Sequence, residues 1–521
     1  MEGVDVARPR RAGLRPHDAR RALDGFLTWR WADLTLVAAL LAGSLALRTV
    51  QLNAGFWIDE GISVGIAHHH WTSIPHVLRQ DGSPPAYYLL LGLWIRVFGD
   101  SERSTHALSL LFALACIPGA YAAGRSVFDR RTGVVAALLA AADPYLTYYG
   151  QETRMYSMEA FLSLVMVVAY VKGILRGSRA WCVALVPTLA LMVYAHNWAL
   201  FLCVAVAAAT LVCARDAWRR FAAVAAGVAA LYAPWLPTLF AQVRHTGAPW
   251  STVPSLHEML TAPGAVLGGD APFVPIVVAA AGGLYATARR TERALFLLVA
   301  VTVAGAWIES QFNPAWATRY FAVVFAPVLL LAAAAIVRGR RFGAVALVAV
   351  FVLWWGFTMH DDKENARGVA ARLATVVHGS ELIISTHPEQ VPVLRYYLGK
   401  YAVGQHLRYA TTMGPVADPQ VFDWYDAVER LRAAKVRPTL DALLATVRPG
   451  NEFVVVTPVF RDYRAWEAKW TRLVWQKSED WTNLLSHDPN LRLVGHVTPD
   501  EIALKRNYFK PLQAFVYRKL R

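Results

Sequence analysis

Long apolar runs with almost no charged residues constrain this chain more than any other feature of its sequence. They lie at Leu34–Leu47, Val134–Ala142, Phe161–Tyr170, Leu200–Val212, Ala222–Tyr232, Ala294–Ala306, Phe321–Val337 and Val345–Phe357. About 20 apolar residues cross a bilayer as a helix, and only helices or closed barrels can cross. The runs lack the two-residue alternation of barrel strands. Only 17% of the residues are charged, against about a quarter in soluble domains. We therefore predict a mainly α, polytopic membrane protein.

The basic residues between these runs predict the topology. They cluster in the N-terminal leader and at Arg125/Arg130/Arg131, Lys172/Arg176/Arg179, Arg215/Arg219/Arg220, Arg289/Arg290/Arg293 and Arg338/Arg340/Arg341. The positive-inside rule places each cluster in the cytoplasm. All of these clusters fall on the cytoplasmic side only if the apolar stretch 84–99 does not cross the membrane. That stretch is short, begins with Pro84 and Pro85 and contains Arg96, so we expect it to lie in the outer interface. A crossing at 84–99 would instead place the C-terminal segment inside.

Three segments follow from this topology. Residues 1–31 are predicted to be a basic cytoplasmic leader. Residues 32–359 form a transmembrane domain of about eleven helices, with an external first loop at 51–103. Residues 360–521 are predicted to form an extracytoplasmic α/β domain, because charges become frequent there and short β-like runs alternate with helical patterns. The β-like runs are Glu381–Ser385, Phe453–Thr457, Leu491–Val497 and Ala514–Tyr517. The net charge of +15 does not indicate nucleic-acid binding, because the Arg and Lys residues are dispersed between the apolar runs.

Two external links carry acids beside aromatic residues. Asp59 and Glu60 follow the first span, where they are either a solvated loop start or a general base or metal ligand. The second link contains Glu152, Arg154 and Tyr156. It is either an interfacial aromatic belt with a local Glu152–Arg154 pair or part of a site, since ionisable residues at the membrane edge are costly.

Two further residues extend the candidate set. Asp81 precedes the rigid Gly-Ser-Pro-Pro turn and either caps the helix that follows or belongs to the site. Arg319 begins a late span, where it either snorkels to lipid phosphate or holds a substrate phosphate. With the topology above, acids, arginines and aromatic residues all fall on the outer face. That layout suits a lipid-phosphate donor, with arginines on the phosphate and an acid as the base.

Several motifs together resemble the GT-C glycosyltransferases, in particular the bacterial branch of the protein-mannosyltransferase and aminoarabinose-transferase superfamily. They are Trp57-Ile58-Asp59-Glu60, Asp81 to Leu90, Phe98-Gly99-Asp100-Ser101-Glu102, Arg131-Thr132-Gly133, Asp143-Pro144 to Tyr156, and Thr318-Arg319-Tyr320-Phe321 followed by Pro327. The motifs cover the membrane part, about 360 residues. Gly61-Ile62-Ser63 follows the acid pair where relatives often have Arg or Tyr, and Asp81 stands where relatives often have His.

The resemblance implies a polyprenyl-phosphate-linked sugar donor and inverting transfer at the outer face of the cell membrane. It implies that Asp59 is the catalytic base and that Glu60 supports it or contacts donor or metal. The remaining candidates for donor and phosphate binding are Arg154, Arg319, Tyr156, Glu152 and Asp81. The sugar and its hexosyl or pentosyl type, a lipid, glycan or protein acceptor, and a divalent metal are left open. The alternatives are a transporter or lipid-linked-sugar flippase and a non-catalytic membrane subunit.

Overall fold

The computed structural model describes residues 30–284, 289–356, 363, 365–377, 381–459, 466–499 and 511–521. Almost all of the predicted leader, 1–31, lies outside these residues, as does the predicted boundary at 360. Both therefore stay predictions.

Helices dominate the described part of the chain. They are α1 Trp31–Arg48, α2 Ile58–His68, α3 Ile74–Asp81, α4 Ala86–Phe98, α5 Glu102–Val127, α6 Arg130–Ala142, α7 Pro144–Tyr149, α8 Tyr156–Tyr170, α9 Arg179–Ala195, α10 Ala199–Cys213, α11 Trp218–Tyr232, α12 Leu236–His245, α13 Leu256–Ala265, α14 Asp270–Leu284, α15 Arg290–Phe312, α16 Phe325–Arg338, α17 Arg340–Trp355, α18 Ala366–Leu373, α19 Val391–Tyr401, α20 Ala427–Ala433, α21 Val436–Ala445 and α22 Lys469–His487. A π-helical turn, Val171–Leu175, extends α8, and 3₁₀ turns occur at Arg215–Ala217, Ala233–Trp235, Thr318–Val324 and Pro388–Gln390.

Six helical segments in the described residues are long and apolar enough to cross a membrane, or seven if the bent pair α13–α14 is one span. Large apolar side chains on these and neighbouring helices are exposed on the protein surface, among them Val204, Phe296 and Val348. A lipid environment covers such surface without cost, because lipid tails are as apolar as the side chains. The prediction of a multi-pass, mainly helical membrane protein is confirmed, while the count of about eleven stays a prediction.

The helix α4 corresponds to the apolar stretch 84–99. It has 13 residues, which gives a length of about 20 Å, less than the roughly 30 Å of a hydrocarbon core. Its buried residues, among them Tyr87, Tyr88 and Leu91, pack against α2 and α5. The position of this stretch in the outer interface stays a prediction.

A six-stranded mixed sheet follows the membrane helices. Its strands are β1 Leu382–Ser385, β2 Arg408–Thr411, β3 Gly414–Pro415, β4 Glu452–Pro458, β5 Leu491–Val497 and β6 Leu512–Lys519. They are ordered β3-β2-β1-β4-β6-β5. β1 is parallel to β2 and β4, and the other neighbours are antiparallel. The sheet and helices α18–α22 make the α/β architecture that the sequence predicts.

The α/β region contacts the loop 51–103 at α2. A β-carbon on Gly65 would lie 1.7 Å from the carbonyl oxygen of Gln420, so only glycine allows this approach. The apolar side chains of Phe56 and Val64 pack in one core with Val393 and Tyr397 of the α/β region. The loop that carries the predicted base is therefore held between the membrane helices and the α/β region.

Candidate active site

The acid pair lies in the first turn of α2, where the sequence favours helix initiation. The side-chain carboxylate of Glu60 accepts a hydrogen bond from the backbone N–H of Trp57 at 3.3 Å. Glu60 thereby satisfies one of the free N–H groups at the helix start. Carboxylates in the first turn also interact favourably with the helix dipole. Asp59 and Glu60 are thus fixed at the beginning of α2 rather than in a solvated loop.

The link that carries Glu152 and Arg154 contains the short helix α7. The carboxylate of Asp143 accepts a hydrogen bond from the backbone N–H of Leu146 at 2.9 Å, and Pro144 occupies the first helical position. Both features are typical helix starts. After α7 the chain turns back tightly, with the N–H of Arg154 donating to the carbonyl of Glu152 at 2.7 Å. This turn brings both residues to α2.

The carboxylate of Asp59 faces two guanidinium groups. Its Oδ2 lies 3.8 Å from Nη2 of Arg154 and 3.6 Å from Nη2 of Arg319. The three side chains are 23%, 11% and 19% exposed, respectively. Two partly buried cations therefore lie beside one acid. The group of Asp59, Arg154 and Arg319 has an excess of positive charge.

Arg154 is held by polar groups from three directions. Its Nη1 donates to the hydroxyl of Ser63 at 3.0 Å and to that of Tyr88 at 3.4 Å, and its Nη2 donates to the hydroxyl of Tyr156 at 3.4 Å. Its buried Nε has no hydrogen-bond partner among the described residues. A buried donor without a partner is costly, so this N–H is suited to an oxygen of a ligand. No ion pair joins the side chains of Arg154 and Glu152 in the described residues.

Arg319 comes late in the membrane part of the chain, and its side chain also reaches Asp59. Its guanidinium lies over the rings of Trp57, Trp250 and Tyr320, at 4.8–5.6 Å from their centroids. Its carbonyl accepts a hydrogen bond from the hydroxyl of Tyr145 at 2.6 Å. The buried Nε of Arg319 also has no hydrogen-bond partner among the described residues. This inward position differs from a side chain that snorkels to lipid phosphate.

Glu60 is fully buried and has several hydrogen-bond partners. Its Oε1 accepts from the backbone N–H of Thr153 at 2.7 Å and lies 2.7 Å from Nε2 of His106. The ammonium of Lys363 lies 2.9 Å from its carboxylate. Burial raises the pKa of Glu60, but the charges of Lys363 and His106 and the hydrogen bonds outweigh it and lower the pKa to about 2.

Glu152 lies in the opposite electrostatic environment. Its Oε1 accepts a hydrogen bond from the indole N–H of Trp57 at 2.6 Å, and its buried Oε2 has no partner among the described residues. Burial, followed by the negative charge of Glu60, raises the pKa of Glu152 to about 7. One of the two neighbouring acids is thus ionised at neutral pH, and the other is close to half-protonated.

Asp81 is the last residue of α3 and does not cap α4, whose N-cap is Pro85. Burial raises the pKa of Asp81, while the charge of Arg154 lowers it and that of Asp59 raises it. Asp81 therefore lies within the electrostatic range of the acid–arginine group. The residues described do not include three His, Cys, Asp or Glu side chains placed to hold one metal ion. Glu60, whose oxygens face a lysine, does not fit a metal-ligand role.

The structure thus brings six of the seven predicted site residues into direct contact with one another or with a shared partner, and it places Asp81 at their edge. Sequence reasoning missed Ser63, Tyr88, His106 and Lys363. A signal existed for His106, because a histidine is unusual inside a long apolar helix. The sequence contains no such signal for Lys363, because this residue lies 303 positions from Glu60 in a charged segment.

The chain resembles known proteins in part of its sequence and in its fold. Residues 82–239 match the family model described as dolichyl-phosphate-mannose-protein mannosyltransferase. The structure of ArnT from Cupriavidus metallidurans bound to undecaprenyl phosphate is similar with a TM-score of 0.63 at 15% identity, over 93% of this chain and 97% of that one. No curated protein sequence matches the chain.

An archaeal oligosaccharyltransferase from Archaeoglobus fulgidus is similar in two states. With a tethered acceptor peptide it has a TM-score of 0.52 at 13% identity, over 86% of this chain and 71% of that one. In complex with an inhibitory peptide and a dolichol-phosphate, the TM-score is 0.50 at 12% identity, over 82% and 69%.

Proposed function

We propose that this chain is a GT-C membrane glycosyltransferase, which transfers a sugar, with inversion, from a polyprenyl-phosphate donor to an acceptor hydroxyl at the outer face of the membrane. The sequence match over residues 82–239 and the shared fold support this class, which the sequence also predicts. The donor class is supported by the similar structures that are bound to undecaprenyl phosphate and to dolichol-phosphate. The hexosyl or pentosyl type and the acceptor are left open.

One observation carries the proposal: the half-buried carboxylate of Asp59 lies within 4 Å of the guanidinium groups of Arg154 and Arg319. Both arginines also have an unpaired, buried Nε–H among the described residues. Guanidinium groups match the geometry of phosphate oxygens. A phosphate held by these N–H groups would lie beside a base, which is what transfer from a sugar phosphate requires.

The proposed reaction is a single displacement. The acceptor hydroxyl oxygen attacks the anomeric carbon and forms the new glycosidic bond. The bond between the anomeric carbon and the phosphate oxygen breaks, and its electron pair leaves with the polyprenyl phosphate. Asp59 takes the proton of the acceptor hydroxyl as general base. Arg154 and Arg319 stabilise the negative charge that develops on the departing phosphate.

The neighbouring residues have supporting roles. Glu60 holds the first turn of α2 in place through its four partners. Tyr156 orients Arg154 through its hydroxyl. Glu152 is placed to bond a hydroxyl of the sugar through its unpaired oxygen, because a carboxylate would repel the phosphate. Asp81, at the edge of the group, is assigned to the donor sugar as well.

The test replaces Asp59 with Asn in purified protein that is supplied with a radiolabelled polyprenyl-phosphate sugar and the acceptor fraction of the membrane. The Asn side chain keeps the shape but does not accept the proton. We expect transfer to fall about a hundredfold or more, with binding of undecaprenyl phosphate retained. Asp216→Asn is the matched control, because Asp216 is exposed and lies far along the chain, where it pairs with Arg290.

Two results would contradict the proposal. Near wild-type transfer by Asp59→Asn would exclude Asp59 as the base. Absence of any transfer by the wild-type protein in detergent, together with donor movement between leaflets in vesicles, would favour the flippase alternative.

A further inference from the structure

Lys363 comes from the segment between the last membrane helix and the α/β region, yet its ammonium group is buried beside the acid pair. The side chain is 8% exposed. Its Nζ lies 2.9 Å from the carboxylate of Glu60, 3.1 Å from Nε2 of His106 and 3.0 Å from the carbonyl oxygen of Gln151. The acceptors within reach of the ammonium hydrogens are the two carboxylate oxygens of Glu60 and the carbonyl oxygen of Gln151. Nε2 of His106 donates to Glu60 instead.

Glu60, the acid that Lys363 contacts, links the elements around the base. Its carboxylate is bonded to the N–H of Trp57 before α2, to His106 of α5 and to the N–H of Thr153 in the second external link. Asp59 is the next residue in the same helical turn. A shift of Glu60 would therefore move the carboxylate of Asp59 relative to the arginines.

A second contact from the α/β region holds the chain just before the acid pair. The backbone N–H of Phe56 donates to the hydroxyl of Tyr397, on α19, at 2.6 Å. At Gly61, the residue after the acid pair, a β-carbon would lie 2.7 Å from the side chain of Val393. The α/β region thus contacts the chain on both sides of the two acids through α19, while Lys363, from the segment that leads into this region, contacts Glu60 itself.

We propose that Lys363 is a positioning residue for the proposed transfer: its ammonium fixes Glu60 and thereby holds Asp59 where the base must act. The inference rests on the proposed function, and it gives the segment that joins the membrane helices to the α/β region a role in catalysis. Lys363 does not touch the reacting atoms. Its removal should therefore reduce turnover and leave donor binding largely intact.

The pH dependence separates a positioning role from a merely structural one. The titratable groups that face Glu60 are His106, Lys363, Glu152 and the phenols of Tyr87 and Tyr397. With Lys363 present, the pKa of Glu60 is about 2, so the acid stays ionised at all working pH values. Without that charge, burial raises the pKa of Glu60, and activity falls as the pH is lowered through the new value.

The experiment compares Lys363→Met with wild-type full-length protein in detergent. We expect kcat to fall at least about tenfold, because small displacements of a catalytic group are costly. The KM for the polyprenyl-phosphate sugar should change less than threefold by the same reasoning, and a new acidic limb should appear in the pH profile. Lys363→Arg should keep the wild-type pH profile. Lys400→Met is the matched control, since Lys400 contacts Asp100 at a partly exposed site.

A wild-type kcat and pH profile in Lys363→Met would overturn the inference, while transfer by the wild-type protein would still support the proposed function. If Lys363→Met does not yield monodisperse protein, the double variant with Glu60→Gln carries the test, because it buries no unpaired charge. The double variant is expected to show reduced kcat without the acidic limb, and a wild-type kcat in it would overturn the inference. Failure of wild-type transfer would refute the proposed function itself.

Discussion

Replacing Arg154 with Met should weaken binding of undecaprenyl phosphate strongly. The guanidinium is fixed by Ser63, Tyr88 and Tyr156, so it is already oriented when a phosphate arrives. A hydrogen bond to a charged group contributes about 1.5–3 kcal/mol. Losing one such bond raises Kd about 10- to 150-fold, since ~1.4 kcal/mol is tenfold in affinity. Arg154→Lys keeps the charge but not the planar fork, so it should fall between Met and wild type.

The assay is titration of purified protein in detergent with undecaprenyl phosphate, followed by intrinsic tryptophan fluorescence. Trp57 and Trp250 lie within 6 Å of the Arg319 guanidinium, so a bound phosphate should change their emission. Arg437→Met is the control, because Arg437 pairs with Asp441 on an exposed helix face. A Kd for Arg154→Met within twofold of wild type would refute the assignment of Arg154 to the phosphate.

Three further predictions test other parts of the account. The pKa of Glu152 is about 7, so this acid ionises as the pH rises through 7. The affinity of the wild-type protein for the anionic donor should therefore decrease over this range, whereas that of Glu152→Gln should not. Parallel curves of affinity against pH for the two proteins would contradict this. Gly65→Ala places a β-carbon against a carbonyl oxygen and should lower the free energy of unfolding by about 1–3 kcal/mol. Gly368→Ala, with open space around it, should not lower it. An impermeant maleimide added to intact cells should label Glu479→Cys outside and should not label Arg219→Cys, and the reverse pattern would contradict the topology.

The sequence predicted the membrane helices and most of the sheet because both depend on local patterns. Long apolar runs identify the spans, and β-like runs at Phe453–Thr457 and Leu491–Val497 correspond to β4 and β5. The strands β2 and β3 were missed. They have four and two residues, which is too short for a periodic pattern to stand out.

The site was predicted in part for a different reason. The positive-inside rule predicts that Asp59, Arg154 and Arg319 lie on the same side of the membrane, and the structure brings both guanidinium groups within 4 Å of the Asp59 carboxylate. Topology gives the side but no pairing, so the sequence also allowed a Glu152–Arg154 pair. The contacts of Glu60 with His106 and Lys363 depend on tertiary packing across distant segments, which no local pattern reports.

The central claim, a single displacement from a lipid phosphate, is tested most directly by the stereochemistry of the product. Purified protein in detergent is given a polyprenyl-phosphate sugar of known anomeric configuration and an acceptor, and the product linkage is determined by NMR. We predict that the anomeric configuration is inverted, because Asp59 activates the acceptor and no covalent sugar–enzyme intermediate forms. Retention of configuration would contradict the account.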